Sequence, residues 1–152
     1  SENTIYHISN GVSLNSNANP KVKKDEKFEQ LGNKTECSLL EMIYKWGFDF
    51  RDIRKKYADH VIYFIKPVVA TVPFSSSRKR MSCIVQIDNK FYIYSKGAPD
   101  LLLPECSKYV AKNGELKNID VDYKSLLQFN LNQFAAASLR TLLICYKEIS
   151  EK

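Results

Sequence analysis

The stretch MSCIVQIDNKFYIYSKGAPD (residues 81–100) holds two runs rich in β-branched and aromatic residues, joined by a short polar turn. Two such runs separated by three polar residues favour an antiparallel β-hairpin. The second run ends at Lys96 and Gly97, and Pro99 then fits the first turn of a short helix. The stretch therefore predicts a hairpin that delivers one lysine to the end of a strand, where the chain turns.

Helices and further strands are predicted on both sides of this hairpin. Thr35 is a plausible N-cap for a helix that stops at Gly47, because apolar residues recur between them at helical spacing. Further helices are expected at residues 51–57 and 121–138, and further strands at residues 61–65, 68–74 and 140–149. Hairpins with helices between them, without regular βαβ alternation, predict an α+β domain.

Composition bounds the class of protein and its partners. A chain of 152 residues with 44% apolar residues can form one globular domain, residues 1–152, within which the polar segment 11–30 is expected to be a mobile surface loop. The net charge of +6 indicates an anionic partner, which could be a nucleotide, a nucleic acid or a membrane surface. No run is long enough for a membrane span, and the four cysteines form no CxxC motif typical of zinc sites.

Two stretches carry candidate binding chemistry. At Lys96 and Gly97 a strand passes into a helix start, which allows close backbone approach and favours negative charge, although a solvent-facing lysine is the simpler interpretation. In PFSSSRKRM (residues 73–81), Phe74 precedes three serines and three cations, so it could stack on a base while the cations hold phosphate. An ordinary hairpin loop with Phe74 in the core is equally compatible. Neither a Walker nor a Rossmann phosphate motif is present.

Four blocks taken in order carry a family resemblance: GNKTECSLL (32–40), PFSSSRKRMS (73–82), YSKGAPD (94–100) and SLRTLLICYK (138–147). Together they resemble the nucleotide-binding domain of P-type ATPases, in particular that of plasma-membrane-type calcium pumps. The resemblance implies a twisted, mainly antiparallel sheet flanked by helices. It also implies that adenine lies against Phe74, that Lys96 lines the base of the pocket, and that Glu36 accepts a hydrogen bond from the adenine amino group. The other implied nucleotide-binding residues are Thr35, Lys79, Gly97, Ala98 and Arg140.

The same resemblance implies a pump fragment that binds ATP, as Mg-ATP in the full pump, without completing hydrolysis. The phosphorylated aspartate, the actuator loop and the membrane helices are expected in other parts of the pump, which would be the partners of this cytoplasmic domain. Neither nucleic acid binding nor direct membrane insertion is expected. The chain departs from the family pattern at Ser76, Asp100 and Ser138; Ser76 stands where reticulum-type pumps carry an arginine.

Two hypotheses compete with this one. The +6 charge and the Arg78–Arg80 run also fit a basic nucleic-acid-binding module, which would bind oligonucleotides with a steep salt dependence. Alternatively, the domain could keep the fold and serve protein interaction after losing ATP, because a fold alone does not establish a function.

Overall fold

The computed structural model describes residues 1–23, 28–58, 68–87 and 89–149. The helices within these ranges are α1 (Glu2–Leu14), α2 (Lys34–Lys45), α3 (Phe50–Ala58), α4 (Pro99–Leu102) and α5 (Val121–Ala136), with a 3-10 helix at Leu103–Glu105. The strands are β1 (Lys21–Val22), β2 (Phe28–Glu29), β3 (Val68–Ser75), β4 (Arg80–Ile87), β5 (Lys90–Gly97), β6 (Lys108–Val110), β7 (Leu116–Asn118) and β8 (Leu143–Ile149). The strand predicted at residues 61–65 lies outside the described residues.

A four-stranded sheet in the order β3-β4-β5-β8 forms the centre of the fold. Every pairing in it is antiparallel, with Lys96 opposite Met81 on one side and opposite Ile144 on the other. The hairpin predicted from residues 81–100 is confirmed as β4 and β5. Two small antiparallel pairs, β1-β2 and β6-β7, accompany the sheet, so the predicted α+β class with a mainly antiparallel sheet is confirmed.

Helices α1, α2 and α3 pack together and cover one face of the sheet. Alternate residues of β4 are buried on that face, as a strand with a period of two requires: Met81, Cys83, Val85 and Ile87. Gly11 of α1 allows the closest approach, since a Cβ at this position would lie 2.9 Å from Cδ1 of Tyr94 on β5. The helical layer therefore lies directly on the strand that carries Lys96.

The start of α2 differs from the prediction by two residues. Asn33, not Thr35, is the N-cap: its backbone is extended and its side-chain oxygen accepts hydrogen bonds from the amides of Thr35 and Glu36 at 2.9 and 3.2 Å. Asparagine is the stronger capping residue because its oxygen reaches these unpaired first-turn amides more readily. The cap brings Glu36 into the first turn of α2, and Gly47 follows the helix with a φ of +88°.

The surface loop predicted at residues 11–30 needs correction at its N-terminal end. Residues 11–14 form the last turn of α1 and are buried, and Asn15 and Ala18 are buried after it. The small and polar residues that favoured a loop are tolerated here because they allow α1 to pack closely against Tyr94. The mobility predicted for the remainder of the segment stays a prediction.

The β6-β7 pair and helix α5 lie between α4 and β8 in the chain. The aromatic rings of Tyr109 and Tyr123 stack at 3.9 Å and connect β6 to α5. None of the residues of α5 is buried, and Leu126, Phe129 and Phe134 are exposed. The helix predicted for residues 121–138 is thus confirmed, while its apolar side chains remain on the surface of the described structure.

Gly97 is required by the close approach of two strands. A Cβ at Gly97 would lie 2.4 Å from the carbonyl oxygen of Lys79 and 2.8 Å from Cα of Arg80. Both neighbours are backbone atoms, which cannot move away as a flexible side chain can. We therefore attribute this glycine to sheet packing in the first place.

Replacing Gly97 with Ala is expected to lower the free energy of unfolding by about 1–3 kcal/mol, because the added methyl group must displace backbone in a well-packed region. Urea denaturation followed by far-ultraviolet circular dichroism measures the change. An unchanged midpoint and slope would contradict the close approach of Gly97 to Lys79.

Candidate functional site

The residues singled out from the sequence converge at one end of the central sheet. Gly97, the last residue of β5, pairs with Arg80 at the start of β4 and with Leu143 at the start of β8. The β3–β4 turn, the start of α4 and the link before β8 therefore lie at the same end of the sheet. Lys79, Ala98 and Arg140 belong to these three segments.

Lys96 is almost completely buried beneath this end of the sheet. Its ammonium group donates hydrogen bonds to the carboxylate of Glu36, at 2.7 Å, and to the backbone carbonyl of Asn15. Only 9% of the Lys96 side chain and 13% of the Glu36 side chain are exposed. Burying a charge is costly unless it is paired and hydrogen-bonded, and here both conditions are met.

Glu36 holds the segment that follows α1. Its Oε2 atom accepts hydrogen bonds from the backbone amides of Asn17 and Ala18, both at 3.1 Å, while Oε1 faces Lys96. Residues 15–18, here called the 15–18 loop, thus connect α2 to β5 through one carboxylate and one ammonium. Among the described residues Oε1 accepts one hydrogen bond, from Lys96, and a carboxylate oxygen has two lone pairs.

Burial and charge pairing act in opposite directions on the two groups. Burial alone raises the pKa of Glu36, but the hydrogen bond and charge of Lys96 and the amides of Asn17 and Ala18 outweigh it, so the pKa lies below its ordinary value. For Lys96, burial lowers the pKa, and the hydrogen bond and charge of Glu36 limit that decrease. The short contact is that of a charge-assisted hydrogen bond between two ionised groups.

A second cation, Arg54 of α3, lies close to this pair. Its guanidinium donates to the carbonyls of Ser13, Ser16 and Ala18 at 2.8, 3.2 and 3.0 Å. Burial lowers the pKa of Arg54, and the negative charge of Glu36 opposes that effect. The three charged side chains therefore form one cluster around the 15–18 loop.

Phe74 occupies the exposed rim of the same region. It lies near the end of β3, an edge strand, and 58% of its surface is exposed. Its neighbour Ser75 pairs with Arg80, and Arg80 pairs with Gly97, so Phe74 lies at the same end of the sheet as the residue that follows Lys96. An exposed aromatic ring is a suitable surface for stacking a planar ligand.

The remaining predicted residues are placed around this centre. Ala98 donates its amide to the carbonyl of Lys79 at 3.0 Å, and Lys79 has a left-handed backbone with a φ of 45°. The side chains of Lys79 and Arg140 are exposed, and Thr35 is half-buried beside Glu36. Of the predicted residues, Glu36 is bonded directly to Lys96, and Ala98 directly to Lys79. Phe74, Gly97 and Arg140 belong to segments at the same end of the sheet.

Sequence reasoning missed Asn15 and Arg54. Asn15 gives its carbonyl to Lys96, and its side-chain amide donates to the carbonyls of Met81 and Tyr94 at 3.1 and 3.3 Å. No local pattern distinguishes it within a polar segment. Arg54 could have been found by its helical spacing to Phe50, over whose ring its guanidinium lies at 5.2 Å from the centroid.

Other surface features lie elsewhere. Open depressions of about 540 and 370 Å³ lie beside Tyr44 and Gly47 and beside His7 and Tyr92. Neither is lined by the Glu36–Lys96 pair. In the part of the chain that the structure describes, no cluster of three histidine, cysteine or acidic side chains could hold a metal ion. No helix in the described ranges combines the length and apolar character needed to cross a membrane.

Comparison with known proteins assigns this architecture to a family. Residues 4–152 match the family described as "P-type ATPase, cytoplasmic domain N". Calcium-transporting ATPase PAT1 of Dictyostelium discoideum is 34% identical over 141 residues, covering 93% of this chain and 12% of that protein. Plasma membrane calcium-transporting ATPase 3 of Rattus norvegicus is 32% identical over 145 residues, covering 91% and 11%. The chain therefore spans about an eighth of these relatives.

Replacing Glu36 with Gln is expected to lower the free energy of unfolding by about 3 kcal/mol at neutral pH, because Lys96 would remain buried without its counter-charge. The pKa of Glu36 is lowered in the folded protein, so the stability gained from ionising it is complete above the ordinary value of 4.5. It is lost as the pH falls through the lower folded value. Urea denaturation at a series of pH values measures the difference between the two proteins, which should shrink in acid.

Glu41→Gln is the matched control, because Glu41 pairs with the exposed Lys45 at 2.8 Å on the same helix. An exposed pair of this spacing contributes about 0.5 kcal/mol or less. Equal losses for the two variants, or a Glu36 effect that does not change with pH, would contradict the buried ion pair.

Proposed function

The chain belongs to the P-type ATPase cytoplasmic domain N family, and on that premise we propose that it is the ATP-binding domain of a calcium-transporting pump. In this proposal the domain holds adenine and presents the γ-phosphate to an aspartate in another domain of the same pump. The observation that carries it is the presence of an exposed aromatic ring, Phe74, at the same end of the sheet as a buried carboxylate–ammonium pair.

These groups match the chemistry of adenine. The exposed face of Phe74 provides a stacking surface, and base–aromatic stacking contributes about 1–3 kcal/mol. The remaining lone pair on Glu36 Oε1 can accept a hydrogen bond from the 6-amino group of adenine. Guanine carries an oxygen acceptor at that position, which a carboxylate repels. Glu36 therefore favours adenine over guanine, with Thr35 beside it and the aliphatic part of Lys96 below the base.

The cations at the same end of the sheet have the charge needed to bind the polyphosphate. Lys79 and Arg140 are exposed on the β3–β4 turn and on the link before β8, and Arg78 and Arg80 flank Lys79 in sequence. Arginine and lysine bind phosphate through charge-assisted hydrogen bonds. Gly97 and Ala98 lie between these segments, and the missing side chain of Gly97 lets the backbone of Lys79 and Arg80 come close to the strand that carries Lys96. This placement directs the phosphates away from the sheet and toward solvent.

The proposed chemistry of this chain is binding and presentation. Phosphoryl transfer requires a nucleophile in line with the γ-phosphate and Mg²⁺ to neutralise its charge, and both are assigned to other domains of the pump. Closure of this domain onto the phosphorylation domain would bring the γ-phosphate to the acceptor aspartate. Calcium as the transported ion, and the location of this domain on the cytoplasmic side, follow the names of the relatives and of the family.

Replacing Phe74 with Ala is expected to weaken Mg-ATP binding by about tenfold, because the loss of base stacking removes about 1–3 kcal/mol. Isothermal titration calorimetry on the 152-residue chain measures the affinity. Val72→Ala is the matched control: Val72 lies on the same strand and is also exposed. Its loss should leave the affinity unchanged.

The competing nucleic-acid hypothesis is tested in the same experiment. A short single-stranded oligonucleotide that binds the wild-type chain more tightly than Mg-ATP, with an affinity that falls steeply as salt increases, would overturn the proposed function. So would equal Mg-ATP affinities for the wild-type and Phe74→Ala chains.

A further inference from the structure

Arg54, on α3, binds the end of α1 and the 15–18 loop. It donates three hydrogen bonds, and all three acceptors are backbone carbonyls of the α1 end and of this loop: Ser13, Ser16 and Ala18. Its guanidinium also packs over the ring of Phe50, which is fully buried. One planar side chain thus binds the loop at two points and the end of α1 at a third.

The 15–18 loop in turn positions both charged groups of the candidate site. The amides of Asn17 and Ala18 bind one oxygen of Glu36, and the carbonyl of Asn15 binds the ammonium group of Lys96. Ala18 participates on both sides, since its carbonyl accepts from Arg54 and its amide donates to Glu36. A shift of this residue would therefore move the carboxylate that faces the ligand.

We infer that Arg54 is a positioning residue for nucleotide recognition, holding Glu36 and Lys96 in register through the 15–18 loop. The inference rests on the proposed function and extends it to a side chain that does not touch the ligand. Arginine suits this role because its planar fork donates in several fixed directions, whereas a lysine ammonium is a single point charge. Arg54 thereby sets the preference for adenine indirectly.

Neighbouring Arg51 provides a matched comparison on the same helix. Its guanidinium pairs with Asp49, which precedes the helix, and its side chain is half exposed. Arg51 and Arg54 thus carry the same charge on α3, while only Arg54 is bonded to the 15–18 loop. A general effect of removing a positive charge would be the same for both.

The experiment compares Arg54→Lys, Arg54→Ala and Arg51→Ala with the wild-type 152-residue chain. Mg-ATP and Mg-GTP affinities are measured by calorimetry, and the amide resonances of Asn17 and Ala18 are recorded by NMR. Arg54→Lys is the informative variant, because it retains the positive charge and loses the geometry of the three hydrogen bonds. Circular dichroism and urea denaturation establish that each variant is folded.

For folded Arg54→Lys we expect the ratio of ATP to GTP affinity to fall by about tenfold, the equivalent of one charged hydrogen bond. The amide resonances of Asn17 and Ala18 should shift without ligand, because their bonds to Glu36 change. Arg51→Ala should retain both the ratio and the resonances. Arg54→Ala should show the larger change if it folds.

A folded Arg54→Lys chain with wild-type nucleotide preference and wild-type Asn17 and Ala18 resonances would overturn the inference. Equal changes in Arg51→Ala would overturn it as well, since charge alone would then explain them. If the wild-type chain binds no nucleotide, the proposed function fails. The unliganded resonances still decide whether Arg54 positions the loop, so the two failures are distinguishable.

Discussion

The bond between Glu36 and Lys96 joins a helix to a strand end 60 positions away in the sequence, and both groups are nearly excluded from solvent. Removing two charges from water costs several kcal/mol per ion, and their attraction offsets this only where further hydrogen bonds complete the pair. The 15–18 loop supplies those bonds through one carbonyl and two amides. Helix α2, the 15–18 loop and β5 are consequently held in one arrangement. The other segments at this end of the sheet lie around it.

This end of the sheet combines a buried charge pair with exposed side chains around it, and the proposed function uses both. Buried groups such as Glu36 can discriminate between bases because their positions are determined before a ligand binds. Exposed cations such as Lys79 and Arg140 remain hydrated and can follow a polyphosphate as the domain moves. Gly97 links the two regions: its missing side chain lets the backbone of Lys79 approach the strand that carries Lys96. A binding domain that must also present its ligand to another domain needs this combination.

Local patterns predicted the elements well, because the hairpin, α2, α3 and α5 each depend on short-range spacing and turn residues. Errors arose where tertiary packing outweighs composition. The polar residues after Gly11 indicated a loop, yet α1 continues there because small residues fit against Tyr94. The motif blocks predicted Glu36 and Lys96 as separate binding residues. No local sequence pattern predicts that their side chains bond to each other. The hydrogen bonds of Arg54 to the 15–18 loop are long-range contacts of the same kind, although its helical spacing to Phe50 is visible in the sequence.

Intermolecular nuclear Overhauser effects in the Mg-ATP complex would show whether a nucleotide stacks on Phe74 above the Glu36–Lys96 pair. We expect contacts from the adenine H2 and H8 protons to the Phe74 ring and to the Lys96 side-chain methylenes. Mg-AMP should give the same base contacts, since they do not depend on the outer phosphates. Adenine contacts confined to α5 or to the depression beside His7, with none to Phe74 or Lys96, would rule out this mode of binding.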